Sequence, residues 1–279
     1  MIDEQQPVKD LGNKAKRGGG KLAGAKPLGW LARAGLVARG LVYLIIGVLA
    51  VKLALGVGGQ AANQQDALKT IAAQSFGRIL LILVAIGLAG YALWRLTRAA
   101  VGHGAEQRDS GVDRVAAFGS GIAYGILCVT AVEIIAGSST GSGTPKETTG
   151  GVLGWSGGTV VVAIAGAVLI GVAGFQAYKG LKKKFLEDAK TGEMSPSVRK
   201  GYTALAVFGH VARAVIFALI GYGLIKAAID YNPQEAIGLD GALRKLADSA
   251  YGPALLAVVA VGLAGFAVYS MADARYRKV

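Results

Sequence analysis

Cysteine is almost missing from this chain: Cys128 stands alone, which excludes a disulfide framework and any cysteine-based zinc or iron–sulfur site. Histidine is nearly as scarce. His103 and His210 lie far apart without a carboxylate cluster, so no metal-ligand spacing is present. Charge is short as well, at 17% of residues against 53% hydrophobic, with a mean hydropathy of +0.49. Globular proteins carry about 25% charge, so an ordinary soluble enzyme and a disordered tail protein are both excluded. Catalytic motifs are missing too: no Gly-x-Gly-x-x-Gly after a strand, no His-Glu-x-x-His and no Gly-x-Ser-x-Gly. Gly18-Gly-Gly-Lys21 lacks the phosphate-loop spacing. The expectation is a chain that is not an enzyme and has no cofactor or metal.

What the chain has is long apolar runs. A bilayer-crossing helix needs about 20 mostly apolar residues, and six runs qualify, at 31–55, 77–99, 115–137, 158–179, 203–228 and 252–273. Thr148 to Tyr178 is free of charge over 31 residues and Ser249 to Ala272 over 24. A soluble all-α core would need a polar face on every such helix, and these have none. The class predicted is an all-α polytopic membrane protein. Residues 1–29, glycine-rich with six Lys/Arg, lack the apolar core of a signal peptide and read as a flexible basic tail.

The net charge of +13 is unevenly placed. With six spans, 20 of the 30 Lys/Arg fall on the side of the two termini, seven on the other and three (Arg33, Arg39, Arg213) within spans. That is the positive-inside pattern, and it predicts that both termini lie in the cytoplasm. The lipid bilayer is the expected partner. The run Lys182-Lys183-Lys184 would attract anionic lipid headgroups at the cytoplasmic face, although a plain topology signal explains it as well. Nucleic acid is not expected, because the basic residues lack aromatic interleaving or a recognition motif.

An internal repeat organises the spans. Gly87-Leu-Ala-Gly-Tyr-Ala-Leu-Trp94 recurs as Gly171-Val-Ala-Gly-Phe-Gln-Ala-Tyr178 and as Gly262-Leu-Ala-Gly-Phe-Ala-Val-Tyr269. Leu31-Ala-Arg-Ala-Gly-Leu-Val-Ala-Arg39 matches Leu205-Ala-Val-Phe-Gly-His-Val-Ala-Arg213, with Val115-Ala-Ala-Phe-Gly119 as a looser third copy. Each repeat is helix, outer loop, helix. The division expected is a tail at 1–29, repeat 1 at 30–102, repeat 2 at 103–185, a basic linker at 186–201 and repeat 3 at 202–279. Parallel two-helix repeats suggest a pseudo-threefold bundle about the membrane normal rather than the inverted repeats of many transporters. These motifs resemble the domain of unknown function 1206, a bacterial membrane family, over about residues 30 to 273. The resemblance is close in repeats 1 and 3 and looser in repeat 2, where Ala123 replaces the arginine. It implies a six-helix, three-repeat, multi-pass protein of the bacterial inner membrane and brings no activity, cofactor or catalytic residue.

A few residues need a physical account. Gly87/Gly90, Gly171/Gly174 and Gly262/Gly265 are spaced three apart, so each pair lies on one helix face and is expected to pack helices closely; Gly121 and Gly125 form a GxxxG match. The aromatic pairs Tyr91/Trp94, Phe175/Tyr178 and Phe266/Tyr269 suit an interfacial belt. Arg39 and Arg213 occupy equivalent repeat positions, each 13 residues before a lysine, Lys52 or Lys226. On one reading the arginines mark the inner interface by snorkelling. On the other they are intramembrane cations in need of a partner. Glu133 reads as the one carboxylate inside a span and is expected to meet Lys52 or Lys226. His210 reads as structural. In the outer loops, Asp66 and Asp240 suggest N-caps of short helices, and Gly137 to Pro145 a mobile Gly/Ser/Thr loop.

Two functions fit these features. The first is a structural or accessory subunit of a cell-envelope assembly, with a protein partner in the membrane. The second is a small transporter or binding protein for a lipid or apolar molecule, using a central cavity with Arg39 and Arg213. Arginines pointing inward beside the glycine motifs favour the second.

Overall fold

The computed structural model describes residues 26–57, 61–101, 111–138 and 144–278. The expected tail, up to residue 25, lies outside the described residues, as do His103 and Ser139 to Gly143 of the Gly/Ser/Thr loop. Six long helices dominate: α1 Lys26–Ala54, α3 Gly77–Val101, α4 Gly111–Ile135, α6 Gly158–Leu181, α7 Pro196–Ile229 and α9 Gly252–Tyr276. All six are long and apolar enough to cross a bilayer, and the fold is that of an all-α polytopic membrane protein. Five begin and end within about five residues of the runs predicted. Helix α7 ends one residue from its run but begins seven residues earlier, because Ser195 caps it and Pro196 opens its first turn. Its 34 residues reach about 51 Å at 1.5 Å per residue, well beyond a ~30 Å hydrocarbon core.

Three short helices lie between the long pairs: α2 Gln64–Ala72, α5 Pro145–Leu153 and α8 Leu239–Ala247. Asn63, not Asp66, caps α2, its side chain accepting from the backbone N–H of Gln65 and Asp66 at 2.9 and 3.0 Å. Asp66 instead returns a bond to the Asn63 N–H at 3.1 Å, completing a capping box. Gly238 stands at the α8 cap and Asp240 in its first turn. Helix α5 is not among the elements expected: it follows directly on the Gly137 to Pro145 stretch and gives the second outer loop a short helix as well. Thr144 and Glu147 form a reciprocal capping box around Pro145, so each repeat is long helix, short helix, long helix.

The long helices pack in the order α6–α7–α9–α1–α3–α4. The contacts between successive repeats (α3 with α4, α6 with α7, α9 with α1) follow the expected pseudo-threefold pattern, as do the pairs α1–α3 and α7–α9 within repeats. The middle repeat departs from it, since its own helices α4 and α6 are not packed along a common face and leave a seam in the ring.

Glycines report the same asymmetry. A Cβ at Gly87 would come within 2.9 Å of Ala38, one at Gly90 within 2.8 Å of Leu31, and one at Gly262 would overlap Ala212. Gly265 sits in ordinary contact with Leu205 at 3.5 Å. These positions are where α1 meets α3 and α7 meets α9, as expected for packing through small residues. Gly171 and Gly174 correct that expectation: no atom lies within 4 Å of a Cβ built at either, nor at Gly119 or Gly125. Gly121 packs, but against Leu96 of α3.

Both chain ends of the described segment lie on one face, called here the terminal face. There the linker after α6 and the C-terminus are joined: Lys190 N–H donates to Tyr276 O at 2.7 Å and Lys278 N–H to Asp188 O at 2.9 Å. The short helices cover the opposite, loop face.

Candidate functional site

Arg39 projects from α1 into the core, where only 5% of it is exposed. Its Nε donates to Ser270 Oγ of α9 at 3.0 Å and its Nη1 to Tyr91 Oη of α3 at 2.8 Å. Its Nη2 stands 3.9 Å from Asp273 Oδ2. The guanidinium also lies over the rings of Tyr91 and Phe266, at 5.3 and 5.0 Å from their centroids, where the ring quadrupole attracts a cation. Arg39 is therefore turned into the protein core toward a partner and does not snorkel out to solvent. Asp273, fully buried, is the counter-charge. It accepts from Tyr202 Oη of α7 and from Arg277 Nη1, both at 2.8 Å. Arg277 reaches on to Asp188 at 3.1 Å, and Lys179 of α6 meets the same carboxylate at 3.0 Å. These cations hold the Asp188 carboxyl well below the ordinary carboxylate range, against a burial effect that would raise it. The two carboxylates raise Arg277 in turn, although its burial acts the other way. Because a broken buried pair costs more than a formed one gains, this cluster fastens α1, α6, α7, α9 and the linker together.

The aromatic motif serves the same core and does not form a belt in two of the three repeats. Tyr91, Trp94, Phe266 and Tyr269 are buried, whereas Tyr178 of repeat 2 is half exposed. His210 stacks on Phe185 at 5.6 Å and places its Nδ1 2.7 Å from the Ala206 carbonyl, a structural position.

Arg213 sits at the equivalent position in repeat 3 but in a different environment. Its guanidinium lies 4.4 Å over Phe266, 5.2 Å over Phe217 and 5.4 Å over Tyr43. Gln176 of α6, with its amide oxygen turned inward, accepts from Nη1 at 2.9 Å and Nη2 at 3.2 Å. The buried Nε has no hydrogen-bond partner, and no carboxylate among the described residues pairs with this cation. Arg213 lines a cavity of about 210 Å³ that runs toward the loop face, walled by Tyr43, Phe217 and Leu263 and roofed by Gln64 and Leu239 of the short helices. At about 30 Å³ per water it holds roughly seven waters, below the ~300–1,000 Å³ of drug-sized sites.

The other expected site residues are not brought together. Glu133 makes no ion pair among the described residues. Lys52 is exposed, and Lys226 pairs with Glu235 at 2.7 Å and Asp230 at 3.8 Å. The reason is the ring order: α4, which carries Glu133, neighbours α3, whereas Lys226 finds carboxylates in the loop directly after its own helix. Among the described residues, no three His, Cys, Asp or Glu gather as metal ligands would.

The profile of the family described as Domain of Unknown Function (DUF1206) matches three times, at residues 34–102, 115–183 and 208–277. Each match covers one long–short–long unit. The chain is also similar to the uncharacterized protein YxxB of Bacillus subtilis (strain 168), at 32% identity over 248 residues, covering 88% of this chain and 90% of the relative. No solved structure matches.

Proposed function

The chain belongs to the DUF1206 family, and from that premise we propose that it is a membrane binding protein, without catalysis, that takes a small anionic and partly apolar molecule at Arg213 from the loop face. The observation that carries this reading is the contrast between the two repeat-equivalent arginines. Each guanidinium keeps one buried nitrogen without a hydrogen bond, Arg39 Nη2 and Arg213 Nε. Arg39, however, has the Asp273 carboxylate at 3.9 Å besides its bonds to Ser270 and Tyr91, whereas Arg213 has only the neutral Gln176 amide, no carboxylate among the described residues, and a cavity beside it. A half-buried cation without a counter-charge is costly, and an anion entering the cavity would remove that cost. The walls are apolar, so the rest of the ligand is apolar.

Octanoate is a suitable probe, with octanol as its uncharged counterpart. Titrated into the purified protein in mild detergent, octanoate is expected to bind with Arg213 intact and to lose about ten- to a hundredfold in Arg213→Gln, the value of a charge-assisted hydrogen bond of roughly 1.5–3 kcal/mol. Equal binding of octanoate and octanol, or an unchanged variant, would end this reading.

A second reading, an accessory subunit of a cell-envelope assembly, draws on the seam between α4 and α6. Gly119, Gly171 and Gly174 have open space where the corresponding glycines of the other repeats touch a neighbouring helix, and Gly125 on α4 is open as well. A partner's helix would fit such small-residue faces. Gly171→Leu and Gly174→Leu should then release a co-purifying partner while the isolated protein melts unchanged; a partner retained by both variants speaks against the seam as its seat.

A further inference from the structure

The terminal face carries a second concave feature that the Arg213 cavity does not explain. A groove of about 860 Å³ runs between the linker after α6 and the first half of α7. Its mouth holds Lys183, Arg199 and Lys200, and its trough is apolar, with Ala204, Phe208 and Val211 along one side of α7. The three cations at the mouth have no carboxylate within 4 Å among the described residues. Off the groove, Lys179 pairs with Asp188, Lys184 with Glu187 and Lys190 with Glu193, while Lys182 has no ion pair among the described residues but does not line the groove. Lys183 adopts a left-handed backbone conformation, φ 55°, at the point where the chain leaves α6 and turns toward the mouth.

The dimensions fit one class of occupant. Lys200 to Val211 spans 11 residues, a rise of about 16 Å, close to half of a ~30 Å hydrocarbon core. The groove therefore begins at the charged interface and ends near the midplane, the extent of a single lipid in one leaflet. We infer that this groove is a binding site for one anionic phospholipid of the leaflet on the terminal face, its phosphate held by Lys183, Arg199 and Lys200 and one acyl chain lying along Ala204, Phe208 and Val211. Unpaired cations at the mouth select the negative headgroup, and the apolar trough selects a lipid over a free anion. The site is independent of the Arg213 cavity, so Arg213→Gln leaves it intact and the two ideas fail separately.

The test is a native mass spectrometry titration of delipidated protein with dioleoylphosphatidylglycerol and dioleoylphosphatidylcholine. One phosphatidylglycerol is expected to be retained in preference to phosphatidylcholine. Lys183→Gln, Arg199→Gln and Lys200→Gln are each expected to weaken it about fivefold, and the triple variant on the order of a hundredfold. Lys182→Gln, beside the groove but not in it, leaves retention unchanged, and Ala204→Trp blocks the chain and lowers it. If the triple variant fails to fold, the single variants decide. Equal retention of both lipids, a full effect from Lys182→Gln, no effect from the mouth variants or from Ala204→Trp, or displacement of the lipid by millimolar inorganic phosphate would each overturn the site.

Discussion

Arg39 and Arg213 begin with the same local sequence and end in different chemistry, and the difference lies in what α9 and α6 bring to them. Ser270 and Asp273 of α9 reach Arg39; α6 offers Arg213 only Gln176, which stands where repeats 1 and 3 have Ala92 and Ala267. Asp273 therefore carries two guanidinium groups. Asp273→Asn removes the counter-charge of both Arg39 and Arg277, and is expected to destabilise the protein by about 3–5 kcal/mol, read as denaturant or thermal unfolding in detergent. Adding Arg39→Met should recover part of that loss, because one uncompensated cation disappears with it. A loss under about 1 kcal/mol would show that the cluster is dispensable. The arginines themselves were legible in the sequence, as charges interrupting apolar runs in matching repeats. Their partner was not. Asp273 closes its expected span and so corrects the reading of Glu133 as the one carboxylate inside a span; it lies 234 residues from Arg39, and no local pattern couples residues that far apart. The aromatic pairs were misread for a related reason: positions three apart on one helix face serve a belt or a core equally well, and the buried cations in the structure draw them inward.

At the level of helices, the repeat could be read directly, but its use could not. The same Gly-x-Ala-Gly motif packs in repeats 1 and 3 and stands open in repeat 2. The sequence does carry one sign of this, since Ala123 replaces the arginine that in the other repeats ties the first helix of the pair into the core. Helix α5 was equally visible in Thr144-Pro-Lys-Glu147, a capping box with proline at the first helical position, though the glycine and serine before it suggest a loop. A leucine scan separates used from unused motifs. Gly35→Leu and Gly209→Leu would drive a side chain into Tyr91 and Phe266, and overpacking of this kind costs about 1–3 kcal/mol or more. The matching Gly119→Leu, which meets nothing within 4 Å, is expected to leave the melting temperature within error. Equal losses at all three positions would mean that α4 and α6 close on each other in the membrane.

For the whole molecule, six spans and three outer helices put every short helix on one face and both described chain ends on the other. From the sequence count of 20 Lys/Arg on the side of the two termini against seven on the other, we propose a cytoplasmic terminal face, the same face that holds the groove with its three unpaired cations. Cysteine labelling tests the assignment cleanly, because Cys128 can be removed as Cys128→Ser and no other thiol remains. In intact cells, a membrane-impermeant maleimide is expected to label Gln74→Cys and Ser249→Cys, both exposed on the loop face, and to reach Glu193→Cys on the terminal face only after permeabilisation. The reverse pattern would invert the protein and move the Arg213 cavity to the cytoplasmic side. Opposite behaviour of residues 74 and 249 would break the two-span repeat itself, since an odd number of crossings would then lie between them.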